Sequence, residues 1–109
     1  VPSDYSYNNR LAFNLVQKRK YEQALQYFMA CFSLRPTNAD MVNNIGNIYM
    51  ATRKIDTALR AYKLGQRLDP TDGDNLYNMG ALLLRFPERA AEAVLALRSA
   101  RRLLPNDQQ

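Results

Sequence analysis

The stretch NADMVNNIGNIYM, residues 38–50, carries four asparagines within helical spacing. A side-chain amide offers one donor group and one acceptor, so it can grip a peptide group, but it neither titrates nor attacks. Asn38 stands where a helix would begin and suits a cap. Asn43, Asn44 and Asn47 lie inside, where asparagine is a mediocre helix former because its side chain competes for backbone hydrogen bonds. Residues able to make or break bonds are scarce by comparison. There is no histidine, which removes the commonest general base and the commonest metal ligand. Cys31 is the single cysteine; in the apolar run YFMACFSL it reads as a small buried residue rather than a nucleophile. Asp72 and Asp74 cluster beside a helix start, where acids favour the helix dipole. With no phosphate loop and no metal-ligand set, the expectation is a non-enzyme that binds, with neither cofactor nor metal.

Composition sets the outer bounds. The chain has 109 residues, 47% hydrophobic and 23% charged, which suits one small folded domain or a short repeat array rather than a disordered segment. No apolar run approaches a membrane span. The net charge is +5, from basic residues that are dispersed along the chain; their longest run, Lys18-Arg19-Lys20, reads as a solvated turn before it reads as a phosphate patch. The chain begins VPSD without an initiator methionine, and the expectation is a piece of a longer protein, soluble and cytoplasmic.

Positioning comes from a repeat. SLRPTNAD at 33–40 returns as RLDPTDGD at 67–74 and more weakly as RLLPNDQQ at 102–109. Pro36 and Pro70 are 34 residues apart, and Pro105 follows after 35. Ala24, Ala58 and Ala93 keep those intervals, and Ala12, Gly46 and Gly80 are each 34 apart. Each unit holds two helical patterns. In the middle one, Val42, Ile45 and Tyr49 share a face, Arg53-Lys54 breaks the pattern, and Ile55, Ala58, Leu59 and Tyr62 mark the next apolar face. Proline then ends the second helix. Six helices follow, in antiparallel pairs near 4–35, 39–69 and 73–104. Helix pairs this short cannot bury their faces alone and must stack.

The sequence resembles the tetratricopeptide repeat, whose pattern runs W-x2-L-G-x2-Y…A-x3-F…P. The middle unit matches at Val42, Ile45-Gly46, Tyr49, Ala58, Tyr62 and Pro70, the first at Leu11-Ala12, Leu15, Ala24, Phe28 and Pro36. The third matches at Leu76, Met79-Gly80, Leu83, Ala93, Leu97 and Pro105, with one extra residue placed in the turn RFPER. The pattern's tryptophan is absent throughout. The resemblance implies an all-α, right-handed superhelical solenoid of three antiparallel helix-turn-helix repeats, near 5–38, 39–72 and 73–107, within a single domain over 1–109. The glycines imply close helix approach, with Ala58 and Ala93 as the small partners and Phe28, Tyr62 and Leu97 filling the space between pairs.

In that family the first helix of each repeat lines a concave groove. Spacing puts Asn43, Asn44 and Asn47 on one side of their helix, opposite Val42, Ile45 and Tyr49. The equivalents are Asn9, Arg10 and Phe13 in the first unit and Tyr77, Asn78 and Ala81 in the third. Asn44 and Asn78, 34 residues apart, resemble the asparagine ladder of the O-linked N-acetylglucosamine transferase repeats, which hydrogen-bonds an extended peptide. Arg10 interrupts that ladder; it either binds a carboxylate or sits in solvent. The other reading of the asparagines is plain solvation. The carboxylate clamp of some co-chaperones of this fold falls on Asn9, Phe13, Asn44, Asp74 and Asn78, where only Asn44 keeps the required type and Asp74 would repel a carboxylate. The candidate groove adds Phe13, Met50, Tyr77 and Leu84, whose alternative role is packing between repeats. A partly apolar segment, extended or helical, would suit this lining.

The function expected is a scaffold or adaptor holding a protein or peptide partner. A type III secretion chaperone of the translocator class is the narrower alternative, and RNA binding, as in pentatricopeptide repeats, ranks lower because the 34-residue intervals and the alanine and proline marks are of the tetratricopeptide type. At the C-terminal end, Val94, Leu95, Leu97 and Leu104 are expected to leave an apolar edge that self-associates or takes further repeats or a capping helix.

Overall fold

The computed structural model describes residues 4–104. It contains α1 (Tyr5–Gln17), α2 (Tyr21–Leu34), α3 (Ala39–Ala51), α4 (Ile55–Leu68), α5 (Gly73–Leu83), a 3-10 turn (Pro87–Arg89) and α6 (Ala90–Leu103), with no strand among the described residues. The helices pack as α1 on α2, α3 on α4 and α5 on α6, and the pairs join through α2 against α3 and α4 against α5. The result is elongated, 42 × 26 × 25 Å. Pro105 and the end of the third unit lie outside the described residues.

Polar side chains start the first helix of each pair. The Asp4 carboxylate accepts from the Tyr7 N–H (3.2 Å), Asn38 from Asp40 and Met41, and Asp72 from Asp74 and Asn75. Each supplies an acceptor to donors that have no partner within the helix. Asn38 is therefore the cap that its position suggested. It also donates to the Tyr5 hydroxyl (2.9 Å), tying α1 to the start of α3.

The turns inside the first two pairs share one geometry. Arg19 and Arg53 stand at positive φ, 60° and 66°. Lys20 N–H then reaches Leu15 C=O (2.9 Å) and Lys54 N–H reaches Tyr49 C=O (2.8 Å), the closing bond of a Schellman turn. The third pair departs from this pattern. Its extra residue is absorbed by the segment 84–89, which has no positive φ and closes with the 3-10 turn.

The core forms two clusters. Ala12, Leu15, Ala24, Phe28 and Cys31 join Met41, Ile45 and Ile48 across the first junction. Ala58, Leu59 and Tyr62 join Leu76, Met79, Leu82, Leu83, Ala93, Ala96 and Ala100 across the second. Cys31 is buried, its thiol lies 3.5 Å from the Tyr5 carbonyl, and burial pushes its pKa up, partly offset by Arg35.

Two expectations are corrected here. Tyr62 and Leu97 do not simply fill space between pairs. A Cβ on Gly46 would come within 2.8 Å of the Tyr62 ring, and one on Gly80 within 2.7 Å of Leu97. Each side chain thus sits over the glycine of its own pair. The apolar C-terminal edge is also smaller than expected, because Leu97 covers Gly80 and Leu104 covers Gly73. Val94 and Leu95 remain exposed.

Candidate functional site: a groove lined by the first helices

α1, α3 and α5 together wall a groove of about 400 Å³. α1 supplies Tyr5, Asn9 and Phe13; α3 supplies Asp40, Met41, Asn43, Asn44 and Asn47; the start and middle of α5 supply Asp72, Asp74 and Asn78. One residue from each helix recurs at the repeat interval, so stacking the pairs brings distant asparagines into one wall.

The predicted residues divide. Asn9, Phe13, Asn43, Asn44, Asn47 and Asn78 come together along the groove. Arg10, Met50, Tyr77 and Leu84 are not among its lining residues. Arg10 and Tyr77 are exposed, Leu84 is the exposed C-cap of α5, and Met50 packs against the second core cluster. Their alternative role, packing, holds for Met50.

Asn43 needs a further correction. The spacing sets it beside Asn44 and Asn47 on the free side of α3, yet it is only 8% exposed. Its Nδ2 donates to Asp72 Oδ2 (2.7 Å), and its Oδ1 accepts from Asn75 Nδ2 (2.6 Å). Asn75, fully buried, also donates to the Tyr62 carbonyl (2.8 Å). The pair spans α3, α4 and α5. Room for it comes from Gly65, where an added Cβ would meet the Asn43 carbonyl and lie 2.8 Å from Asn75 Nδ2. Sequence reasoning missed Asn75 and Gly65. The available signal was the column of small residues Cys31, Gly65 and Ala100, at the repeat's own intervals.

The remaining amides face the groove. Asn44 is half-exposed. Asn78 is half-exposed too, and its Nδ2 lies 3.5 Å from Asn47 Oδ1, a long and weak contact. Asn47 Oδ1 already accepts from the Tyr62 hydroxyl. Burial pushes the Tyr62 hydroxyl up to about 12, which keeps it a donor to Asn47. The Asn9 Oδ1 is shielded from solvent and has no hydrogen-bond partner among the described residues.

A second cavity, about 200 Å³, opens beside the amide wall. Phe13, Val16, Tyr21, Phe28, Ile48 and Ala51 line it, together with Asn44 and Asn47. Phe13 meets Phe28 edge-on, centroids 5.1 Å apart at 83°, a geometry that matches the ring quadrupoles. Phe13 is nevertheless 45% exposed, so this pocket has an apolar wall open to solvent. An apolar socket beside amides can hold one large side chain while the amides hold the backbone next to it.

Stacked helix pairs with a groove along their first helices define an α-helical repeat solenoid. The tetratricopeptide repeat model matches residues 5–38 and 39–72, more than half of the chain, and the chain belongs to that family. No curated protein sequence matches it. Among solved structures it is similar to the Yersinia enterocolitica type III secretion chaperone SycD, crystallised with a peptide of the translocator YopD. The identity is 28% and the TM-score 0.85, over 93% of this chain and 76% of that one. A separate SycD crystal form matches at 26% identity and a TM-score of 0.87, over 97% and 80%. YrrB, described as a tetratricopeptide repeat protein with an unusual peptide-binding site, matches at 24% identity and a TM-score of 0.82, over 96% and 54%, and at that identity attests the fold alone. No helix among the described residues is long and apolar enough to cross a membrane.

Proposed function

We propose that this chain is a non-catalytic protein-interaction module that holds a segment of a partner protein in the groove of α1, α3 and α5. The observation that carries the reading is the joined site: an amide wall with Asn44 and Asn78 half-exposed, and an apolar socket that shares Asn44 and Asn47 with it. Side-chain amides match a peptide backbone, and the socket takes one apolar side chain. The likeness to SycD, solved with a translocator peptide, supports the same reading and favours a translocator-class chaperone as its narrower form. RNA gains no support, because no lysine or arginine lines the groove to meet a phosphate. Panning a random-peptide library against the chain and against Asn44→Arg, which fills the groove, tests it. Peptides kept by the wild type and lost by the variant are expected. Peptides retained equally by both place the interaction elsewhere.

Self-association through α6 is a second contact, supported by the exposed Val94 and Leu95. Sedimentation at rising concentration is expected to show it, weakened by Leu95→Glu. A concentration-independent monomer rules it out.

A further inference from the structure

The sign of charge in the groove runs against that of the whole chain. Lysine and arginine number 15 against 10 aspartates and glutamates, yet none of the 15 lines the groove, whereas Asp40, Asp72 and Asp74 do. Asp72 is committed to capping α5 and to Asn43. Asp40 and Asp74 are exposed and meet no cation within ion-pair distance among the described residues. They stand 34 residues apart, so the repeat places one carboxylate in the first turn of each of two neighbouring groove helices. Acids in a first turn are common in this chain, since Glu22, Asp56 and Glu92 hold that place in the second helices. Helix-dipole stabilisation accounts for all five. It does not account for a concave wall free of cations in a chain that carries +5. The nearest candidate to neutralise that wall, Arg35, is instead held over the Tyr5 ring, 3.9 Å from its centroid.

We infer that the groove selects a basic-apolar segment of a partner protein: one large apolar side chain for the socket at Phe13 and Ile48, with lysine or arginine close by for Asp40 and Asp74. This rests on the groove reading above and specifies its ligand. Carboxylates on a concave, amide-lined wall reinforce one another and attract cations, and they repel acidic segments. The interaction is exposed to salt, so it sets selectivity and encounter rate more than total affinity.

The test compares peptide pools panned from one random library on three proteins: the wild type, Asp40→Asn plus Asp74→Asn, and Asn44→Arg. Both aspartates are exposed, and thermal melts verify that the variants stay folded. The wild-type pool is expected to be rich in lysine and arginine near one apolar residue. The doubly neutralised variant is expected to keep the apolar preference and lose the basic one. Representative basic peptides should bind it about 3- to 10-fold more weakly than wild type at low salt, a difference that shrinks as salt rises. A wild-type pool that depends on an open groove, because Asn44→Arg loses it, yet shows no basic bias overturns this inference and leaves the groove reading standing. A pool indifferent to Asn44→Arg overturns both.

Discussion

Asn43 and Asn44 are sequence neighbours with opposite surroundings. Asn43 is buried at the junction of α3, α4 and α5, with both ends of its amide engaged by Asp72 and Asn75. Asn44 is half-exposed on the groove wall. One step along a helix turns a side chain by about 100°, enough to exchange an interior for a surface. The comparison teaches that an asparagine-rich helix has two separate jobs here. The buried amides fix how the second pair meets the third, and the surface amides leave hydrogen-bonding capacity for something else. The junction between the first and second pairs does without such a network. Cys31 stands at the position of Gly65, and Phe28, Cys31 and Met41 close that contact with apolar surface.

The comparison breaks first at Gly65. Gly65→Ala drives a methyl group into the Asn43–Asn75 pair and should cost about 2–3 kcal/mol by overpacking and lost hydrogen bonding. Chemical denaturation measures it, and a neutral result would mean that the two amides are not locked there. Asn43→Ala should cost about 1–3 kcal/mol, since Asn75 loses an acceptor in a buried site. Asn44→Ala in the same assay should be neutral or gain up to about half a kcal/mol from helix propensity. Equal effects at the two positions would erase the distinction between them.

Alkaline pH sharpens the contrast at Tyr62, which links both regions through its carbonyl to Asn75 and its hydroxyl to Asn47. Burial raises this hydroxyl to about 12 in the folded chain, against about 10 for an unfolded tyrosine. The neutral form is the one the fold favours. Its contribution is therefore complete below about pH 10 and is lost as pH rises toward about 12. Denaturation midpoints should decline across that window, and Tyr62→Phe should flatten the decline. Some slope should remain, because burial also raises the Tyr5 hydroxyl. Identical slopes in both proteins would remove Tyr62 as the cause.

Much of the fold was legible because its signals are periodic. Alanine, glycine and proline recur at the repeat interval, and Asn38 and Asp72 stand at helix starts. The groove was partly legible for the same reason, since Asn9, Phe13, Asn44, Asn47 and Asn78 follow from register alone. Asp40 was also within reach, as the repeat partner of Asp74. The buried amide pair was not. A buried asparagine and a solvated one look alike in a sequence, and only the space left by Gly65 separates them. Met50 and Leu84 were harder for another reason. An apolar residue near the edge of a helical stripe can pack on the next repeat or face solvent, and neighbouring helices decide which.

The most direct test is the double substitution Asn44→Ala plus Asn78→Ala, followed by a thermal melt and a binding isotherm on one preparation. The ligand is a peptide that the wild type selects and Asn44→Arg loses. The melting temperature should hold or rise, while affinity falls by about 1–3 kcal/mol through two lost hydrogen bonds to a desolvated peptide backbone. Unchanged affinity would contradict a groove that grips its partner through these amides, and a large fall in melting temperature would make them structural like Asn43.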